Sequence, residues 1–159
     1  MQQRRIQCVS TGPKLFILTI TISEATLQDY PTLREIFLTT RMETFSWVKD
    51  AAYQLEDFDK ETEGEHILVA HADGEVAGFI SVWLPDNFIH HLFIKSSLHG
   101  LGIGRQLLDK AFEKTSSGMQ LKCLVENDSA MQFYKKYGFV EVDRGNSADG
   151  DYILFEIKP

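Results

Sequence analysis

The 159-residue sequence has few cysteines, little positive charge and no apolar run long enough to span a bilayer, and each shortage excludes a class of protein. Cys8 and Cys123 do not have the spacing of a metal pair, so reduced thiols, a cytoplasmic location and no metal are expected. With 16 Lys and Arg against 23 Asp and Glu, the net charge of −7 argues against a basic face that grips nucleic acid.

The apolar stretch at residues 15–22 is too short to cross a bilayer and lacks the small-residue cleavage site of a secretory signal. It ends in an alternation of apolar and polar residues, which predicts a strand. Residues 1–14 are expected to be a flexible tail, and residues 15–159 a single domain, because this length suits one hydrophobic core. No membrane partner is expected.

The order of predicted elements indicates a mixed α/β sheet with antiparallel hairpins early and crossover helices late. Asp29 is expected to cap the first helix, Pro31 to lie in its opening turn, and Gly138 to end the last helix in a left-handed conformation. Asp73 and Gly74 predict a type I′ turn. Strands are predicted at residues 15–25, 66–71, 75–84, 88–95, 119–126, 139–143 and 152–157, and helices at 29–45, 103–114 and 127–137, with a short helix within 46–65.

Three alternating glycines, Gly100, Gly102 and Gly104, lie between a predicted strand and a predicted helix in the segment LHGLGIGR at 98–105. Glycines let backbone N–H groups approach an anion closely, and a helix N-terminus adds unpaired donors and a partial positive charge. The segment predicts a phosphate pocket to which Arg105 can add a charge-assisted bond; the alternative is a turn that only tightens the corner. Register excludes a dinucleotide fingerprint, since the sixth residue from Gly100 is Arg105, and the Gly-Lys-Ser/Thr of a P-loop is absent.

Two motifs make the sequence similar to the GNAT superfamily of acetyl-CoA-dependent N-acetyltransferases. HGLGIG at 99–104 follows the family pattern Gln/Arg-x-x-Gly-x-Gly/Ala, except that His99 replaces Gln or Arg. NDSAMQFYKKYGF at 127–139 follows the pattern Asn-x-x-Ala-x-x-Phe-Tyr-x-x-x-Gly-Phe at each fixed position. The resemblance extends over about residues 15–157 and implies an α/β (α+β) fold with a mostly antiparallel sheet of about seven strands and about four helices. The sheet is expected to splay between strands 88–95 and 119–126.

The resemblance also implies where acetyl-CoA binds. The tripeptide Leu92-Phe93-Ile94 pairs with the pantetheine arm, and a backbone N–H near Leu92 stabilises the oxyanion. Tyr134 protonates the departing thiolate, the alternative being a tyrosine that packs its helix on the sheet; Asn127 hydrogen-bonds the arm, caps its helix, or does both. The implied cofactor-binding residues are Leu92, Phe93, Ile94, His99, Gly100, Leu101, Gly102, Ile103, Gly104, Arg105, Asn127 and Tyr134.

The general base stays open between two adjacent histidines and a water. His90 and His91 point to opposite faces of a regular strand, so only one of them looks into the cleft, and the two cannot chelate one metal ion. The resemblance favours His90, which precedes the tripeptide by two residues. The alternative for His90 is a buried, hydrogen-bonded strand histidine.

The acceptor is expected to bind beside the first two helices. Seven acids and one lysine lie between residues 50 and 65, where they either attract a cationic amine or form a solvated acidic loop. The apolar residues that could form a slot for the acceptor are Met42, Phe45, Trp47, Tyr53 and Phe58.

The sequence therefore predicts an acyltransferase that moves an acetyl group from acetyl-CoA to a primary amine of a small molecule, peptide or protein. Direct attack is expected, with Tyr134 as general acid and His90 as candidate base. Two alternatives remain: a non-catalytic acyl-CoA-binding module, and an acyltransferase that uses another acyl donor. The identity of the acceptor stays open because this fold hosts many, and a homodimer through an exposed sheet edge is an open expectation.

Overall fold

The chain alternates strands and helices in the order expected from the sequence, with one additional strand near the N-terminus. The computed structural model describes residues 3–9, 15–47 and 52–159, and within these ranges no helix is long and apolar enough to cross a membrane. The strands are β1 (Gln3–Val9), β2 (Leu15–Glu24), β3 (His66–Ala72), β4 (Glu75–Trp83), β5 (Phe88–Ile94), β6 (Met119–Leu124), β7 (Val140–Ser147) and β8 (Gly150–Ile157). The helices are α1 (Tyr30–Thr44), α2 (Asp57–Glu61), α3 (Ile103–Lys114) and α4 (Asp128–Tyr137), with 3₁₀ turns at Leu84–Asp86 and Ser96–Leu98.

The strands form one sheet in the order β1-β2-β3-β4-β5-β6-β8-β7. Each neighbouring pair is antiparallel except β5 and β6, which run parallel. The seven predicted strands and the four helices confirm the expected mixed, mostly antiparallel architecture. Asp73 and Gly74 have φ of 50° and 85°, as a type I′ turn requires, and Gly138 ends α4 at φ 125°.

The flexible tail predicted for residues 1–14 is wrong over Gln3–Val9, which forms β1. β1 pairs with β2 along its whole length, from Gln3 opposite Thr21 to Val9 opposite Leu15. An open strand edge offers N–H and C=O groups to any extended segment, so this pairing does not need the apolar alternation by which strands are predicted. Residues 1, 2 and 10–14 of the predicted tail lie outside the described residues.

Helices cover both faces of the sheet, and the sheet separates the core into two clusters. On one face α3 packs Leu107, Leu108 and Ala111 over β3 and β4, the apolar face expected from its sequence. On the other face α1 packs Leu33 and Phe37 over β4 and β5. β4 and β5 are therefore enclosed from both sides, and close packing makes them a rigid support for the groups at their ends.

Asp29 precedes α1 as predicted, but it does not cap the helix. Its carboxylate accepts a hydrogen bond from the Thr26 N–H at 2.8 Å, and its other oxygen lies 3.0 Å from His71 Nε2. With ψ of −27°, Asp29 already has helical backbone geometry, so its side chain is directed away from the first turn. The carboxylate thus joins the start of α1 to β3 instead.

A buried arginine fastens the segment after α1 to the helix. The guanidinium of Arg41 lies 3.9 Å from the ring centre of Phe37 and 4.4 Å from that of Tyr53. Its Nη2 donates to Asp57 Oδ2 at 3.0 Å, and Nη1 lies 3.5 Å from Glu61 Oε1. Because 8% of this side chain is exposed, its donors depend on these protein partners, and they hold α2 against α1.

Arg41→Met is expected to lower the free energy of unfolding by about 2 kcal/mol, because Asp57 and Glu61 lose their counterion while an apolar stem stays in the helix. Arg34 is the matched control. It donates to Asp59 at 2.7 and 2.9 Å, but both side chains are more than one third exposed and solvent screens the pair. Arg34→Met should therefore shift the urea midpoint much less. Equal midpoints for the two variants would contradict the structural role of Arg41.

Candidate active site

β5 and β6 share two residue pairs and then diverge. Phe88 lies opposite Gln120 and Ile89 opposite Leu121, and no further pair joins the two strands in the part of the chain that the structure describes. β6 continues along β8, and β5 continues along β4. The predicted opening of the sheet is therefore confirmed. One edge of β5 beyond Ile89 faces this opening, which we call the gap.

The gap is lined by the backbone groups of Leu92 and Ile94. Lys95 donates its N–H to the Ala77 carbonyl oxygen of β4 at 2.9 Å, so the backbone of Lys95 faces β4. Backbone groups alternate sides along a strand, and Phe93 therefore faces β4 as well. Leu92 and Ile94 face the gap. Of the three residues predicted to pair with a ligand, Phe93 therefore directs its backbone N–H and C=O groups away from the gap.

The glycine loop adds hydrogen-bond donors at one end of the gap. Gly100 and Gly102 both have φ of 78°, a left-handed conformation that glycine adopts without strain. Gly102 is the N-cap of α3, and among the described residues no acceptor is found for the backbone N–H groups of residues 100–105. Arg105, in the first turn of α3, lies with its guanidinium 5.5 Å from the Tyr137 ring centre. Free N–H groups at a helix N-terminus are suited to a phosphate-like anion.

Gly104 and His99 have structural roles in this loop. A Cβ on Gly104 would lie 3.2 Å from Phe133 Cζ, so this glycine lets α3 approach α4. His99 Nε2 donates to the Ile94 carbonyl oxygen at 2.9 Å and fastens the loop to the end of β5. The expected contacts of the His99 and Arg105 side chains with an anion stay predictions.

Tyr134 lies across the gap, on the half of the sheet that contains β6 and β8. Its ring packs 5.7 Å from the ring of Phe139 and 6.4 Å from that of Phe155. Burial raises the pKa of the Tyr134 hydroxyl above its ordinary value, and the neighbouring Cys123 thiol adds to the effect. The phenol therefore keeps its proton at neutral pH, which a general acid requires.

Asn127 is the N-cap of α4. Its side-chain oxygen accepts hydrogen bonds from the Ala130 N–H and the Ser129 hydroxyl, both at 3.4 Å. The capping role considered for this residue is therefore present. Because the cap uses the oxygen alone, the predicted contact of the NH₂ group with a ligand stays a prediction.

A β-bulge brings the rings of His90 and His91 together. Ser81 of β4 lies opposite His91 and the next residue, Val82, lies opposite Ile89, so His90 is the additional residue of the bulge. The expectation that the two side chains point to opposite faces is wrong for this reason. Their ring centres lie 6.2 Å apart.

His91 belongs to the core, whereas His90 is open to solvent. The His91 ring packs edge-on against Phe37 with 4.9 Å between ring centres. Burial lowers its pKa to about 3, with smaller contributions from His90 and Arg41. His90 Nδ1 contacts Glu65 Oε1, and 43% of the His90 side chain is exposed. His90 is therefore the histidine that a substrate can reach.

The acidic segment between residues 50 and 65 is largely paired with other side chains of the protein itself. The pairs are Arg34–Asp59, Arg41–Asp57, Arg41–Glu61 and His90–Glu65. The sequence did not reveal them because the partner side chains come from α1 and β5, outside the segment. The segment is therefore not a purely solvated loop, and its attraction of a cationic amine stays a prediction. Asp50 lies outside the described residues.

The side chains expected to form an apolar slot are divided between the core and the surface. Phe58 is fully buried, and Tyr53 lies over the guanidinium of Arg41. Phe45 and Trp47 form an edge-on pair with 5.5 Å between ring centres, and Met42 is 60% exposed. Only the last three remain at the end of α1 as candidates for contact with an acceptor.

This arrangement matches one known family. The sequence model of the acetyltransferase (GNAT) domain fits residues 26–155, which is most of the chain. The chain belongs to the GNAT acetyltransferase family. The resemblance inferred from the glycine loop and the motif at 127–139 is therefore confirmed, and with it the acyltransferase class of the family.

Three similar proteins illustrate the likeness. A Bacillus subtilis (strain 168) protein provisionally named ribosomal protein bS18-alanine N-acetyltransferase is 32% identical over 101 residues, or 60% of this chain. The match spans 65% of the length of that curated relative. The structure of yncA from Salmonella typhimurium with acetyl-CoA has a TM-score of 0.71 at 17% identity, covering 87% of this chain and 93% of that one. The PaiA N-acetyltransferase of Thermoplasma acidophilum with CoA has a TM-score of 0.71 at 22% identity, covering 88% and 99%.

The enclosed His91 predicts a pH dependence of stability. Its pKa is about 3 in the folded protein and near 6.5 when unfolded, so between these values the unfolded chain binds one more proton. Stability should fall as the pH drops below 6.5, by about 1.4 kcal/mol per pH unit from this group. In His91→Phe, the loss of unfolding free energy between pH 7 and pH 5 should be smaller by about 2 kcal/mol. Identical pH dependence in urea titrations of both proteins would contradict the enclosure of His91.

Proposed function

We propose that this protein is an N-acetyltransferase that moves an acetyl group from acetyl-CoA to a primary amine by direct attack. The observation that carries the proposal is the gap, an edge of unpaired backbone groups that ends at the N-terminus of α3. Such an edge beside an anion pocket suits a ligand in which a chain of amides is joined to phosphate groups. Acetyl-CoA is a ligand of this kind.

The residues present fit acetyl-CoA along its length. The N–H groups of residues 100–105 would hold the diphosphate, and Leu92 and Ile94 would pair with the amides of the pantetheine arm. The Ile94 carbonyl oxygen accepts one hydrogen bond from the His99 imidazole, and its second lone pair can accept another from an amide of the ligand. When bound, acetyl-CoA supplies an activated acetyl group as a thioester.

Three groups of the chain act on the reacting atoms. The Leu92 N–H donates to the acetyl carbonyl oxygen and stabilises the negative charge that develops there. Tyr134 donates its proton to the sulfur as the carbon–sulfur bond breaks. His90 Nε2 accepts a proton from the amine nitrogen that attacks the acetyl carbon. The acid and the base thus belong to opposite halves of the sheet, on either side of the gap.

A peptide or protein amine is the first acceptor class to test. The support is the Bacillus subtilis relative, whose name gives a ribosomal-protein alanine as its substrate. The chain also has an acidic border near α2. The pKa of Tyr53 is raised mainly by burial and next by the carboxylate of Asp149, at the tip of the β7–β8 hairpin. The same carboxylate contributes to the raised pKa of Glu61. This hairpin therefore lies close to both Tyr53 and Glu61. Carboxylates at the mouth of the site would attract the ammonium group of a peptide N-terminus.

Tyr134→Phe tests the general acid. The variant keeps the ring that packs on Phe139 but has no proton for the leaving sulfur, so kcat should fall by about 10² to 10⁴. Calorimetric binding of acetyl-CoA should stay close to that of the parent protein. Tyr137→Phe is the matched control on the same helix: it removes a hydroxyl that donates to Asp109 at 2.8 Å and should keep most of the activity.

The assay is thiol release from acetyl-CoA with a panel of peptides and small amines. An unchanged rate in Tyr134→Phe would eliminate the acid role. If only small amines are acetylated, a small-molecule acceptor replaces the peptide acceptor in the proposal. If thiol is released only from another acyl-CoA, that acyl-CoA replaces acetyl-CoA as the donor. Binding of acetyl-CoA without turnover of any amine would leave a non-catalytic binding module. The cytoplasmic location and the homodimer stay predictions.

A further inference from the structure

His90 is held by a carboxylate whose own position is fixed. The Glu65 side chain, which contacts His90 Nδ1 through Oε1, is 3% exposed. Glu65 ends a tight turn before β3, in which its N–H donates to the Thr62 carbonyl oxygen at 3.0 Å and Gly64 has φ of 77°. A Cβ on Gly64 would lie 3.3 Å from the Trp83 ring, so this turn is packed closely against β4.

The second oxygen of the same carboxylate is enclosed without a donor. Glu65 Oε2 is buried, and no hydrogen-bond partner for it is found among the described residues. A buried carboxylate that lacks donors is destabilising, and a group retained in this state calls for a functional explanation. Among the described residues, the contact with His90 is the one hydrogen bond of this carboxylate, which points to the imidazole as the group that Glu65 serves.

The contact determines where the imidazole carries its proton. A carboxylate accepts hydrogen bonds and does not donate them, so the proton between the two groups belongs to His90 Nδ1. Neutral His90 therefore has its lone pair on Nε2, away from Glu65. The adjacent histidine offers no equivalent base, because 15% of the His91 side chain is exposed and its Nε2 lies 3.8 Å from Glu61 Oε2.

We propose that Glu65 is a positioning residue that holds His90 in the Nδ1-protonated tautomer and so makes Nε2 the base for the acceptor. The inference rests on the proposed function. In the reaction, the acceptor nitrogen bonds to the acetyl carbon and the carbon–sulfur bond breaks; His90 Nε2 takes one proton from the nitrogen, and Tyr134 gives one to the sulfur. Exchange with water then restores both residues. Glu65 transfers no proton and stabilises the imidazolium that forms.

The first experiment measures the tautomer and needs no substrate. Long-range proton–nitrogen NMR spectra of histidine-labelled protein at pH 8.5 should show His90 with a protonated Nδ1 and an unprotonated Nε2, with the signals identified through a His90→Gln variant. In Glu65→Gln the amide can donate to Nδ1, so the proton should move in part to Nε2. A parent protein that carries the His90 proton on Nε2 would overturn the proposal, whether or not it transfers acetyl groups.

The second experiment separates kcat from KM. Glu65→Gln should lower kcat at least about tenfold with little change in the KM for acetyl-CoA, because a positioned base acts on the chemical step. Glu65→Asp, which keeps the charge, should recover part of the rate. The matched control is Glu63→Gln, which removes an exposed carboxylate two residues away and should have the parent kcat.

A double-mutant cycle distinguishes positioning from general structural damage. If Glu65 acts through His90, adding Glu65→Gln to His90→Gln should cost no further rate, whereas independent damage would multiply the two losses. A parent-like kcat in Glu65→Gln, or multiplied losses in the double variant, would overturn the inference while leaving the acetyltransferase proposal standing. If the parent protein itself releases no thiol with any amine, the proposed function is wrong. The tautomer measurement then decides the Glu65–His90 pairing.

Discussion

The short parallel contact between β5 and β6 determines what this sheet can bind. Two residue pairs join its halves, and beyond them β5 has β4 as its neighbour on one side and the gap on the other. Backbone polar groups without a partner need water or a ligand, so the gap is suited to an extended amide chain that would bind as another strand. The remaining parts of the proposed site surround this gap: the α3 N-terminus at its end, Tyr134 on the β6 half and His90 on β5.

The parts that could be predicted from the sequence are those whose signals are local. The bounds of α3 match the prediction because apolar spacing and the preceding glycines both lie within the helix and its first turn. The turn at Asp73 and Gly74 and the end of α4 at Gly138 follow from residue types that tolerate positive φ. The opening between β5 and β6 came from the family resemblance and not from any pattern in those strands.

The parts that were missed depend on contacts between distant segments. The bulge at His90 arises from the register of β5 on β4, and strand alternation alone therefore gave the wrong direction for the histidines. Arg41 and Glu65 acquire their importance from partners 16 and 25 residues away. Nothing in the local sequence around a charged residue shows whether its side chain will have a buried partner or will be solvated.

Amide hydrogen exchange, measured residue by residue, tests the gap most directly. In the free protein the N–H groups of Leu92 and Ile94 should exchange rapidly, while those of Phe93 and Lys95, which face β4, exchange slowly. Acetyl-CoA should slow exchange at Leu92, at Ile94 and within residues 100–105, and should leave Phe93 unchanged. Slow exchange at Leu92 and Ile94 in the free protein, or rates that do not change when acetyl-CoA is bound, would contradict a gap that binds the cofactor as an added strand.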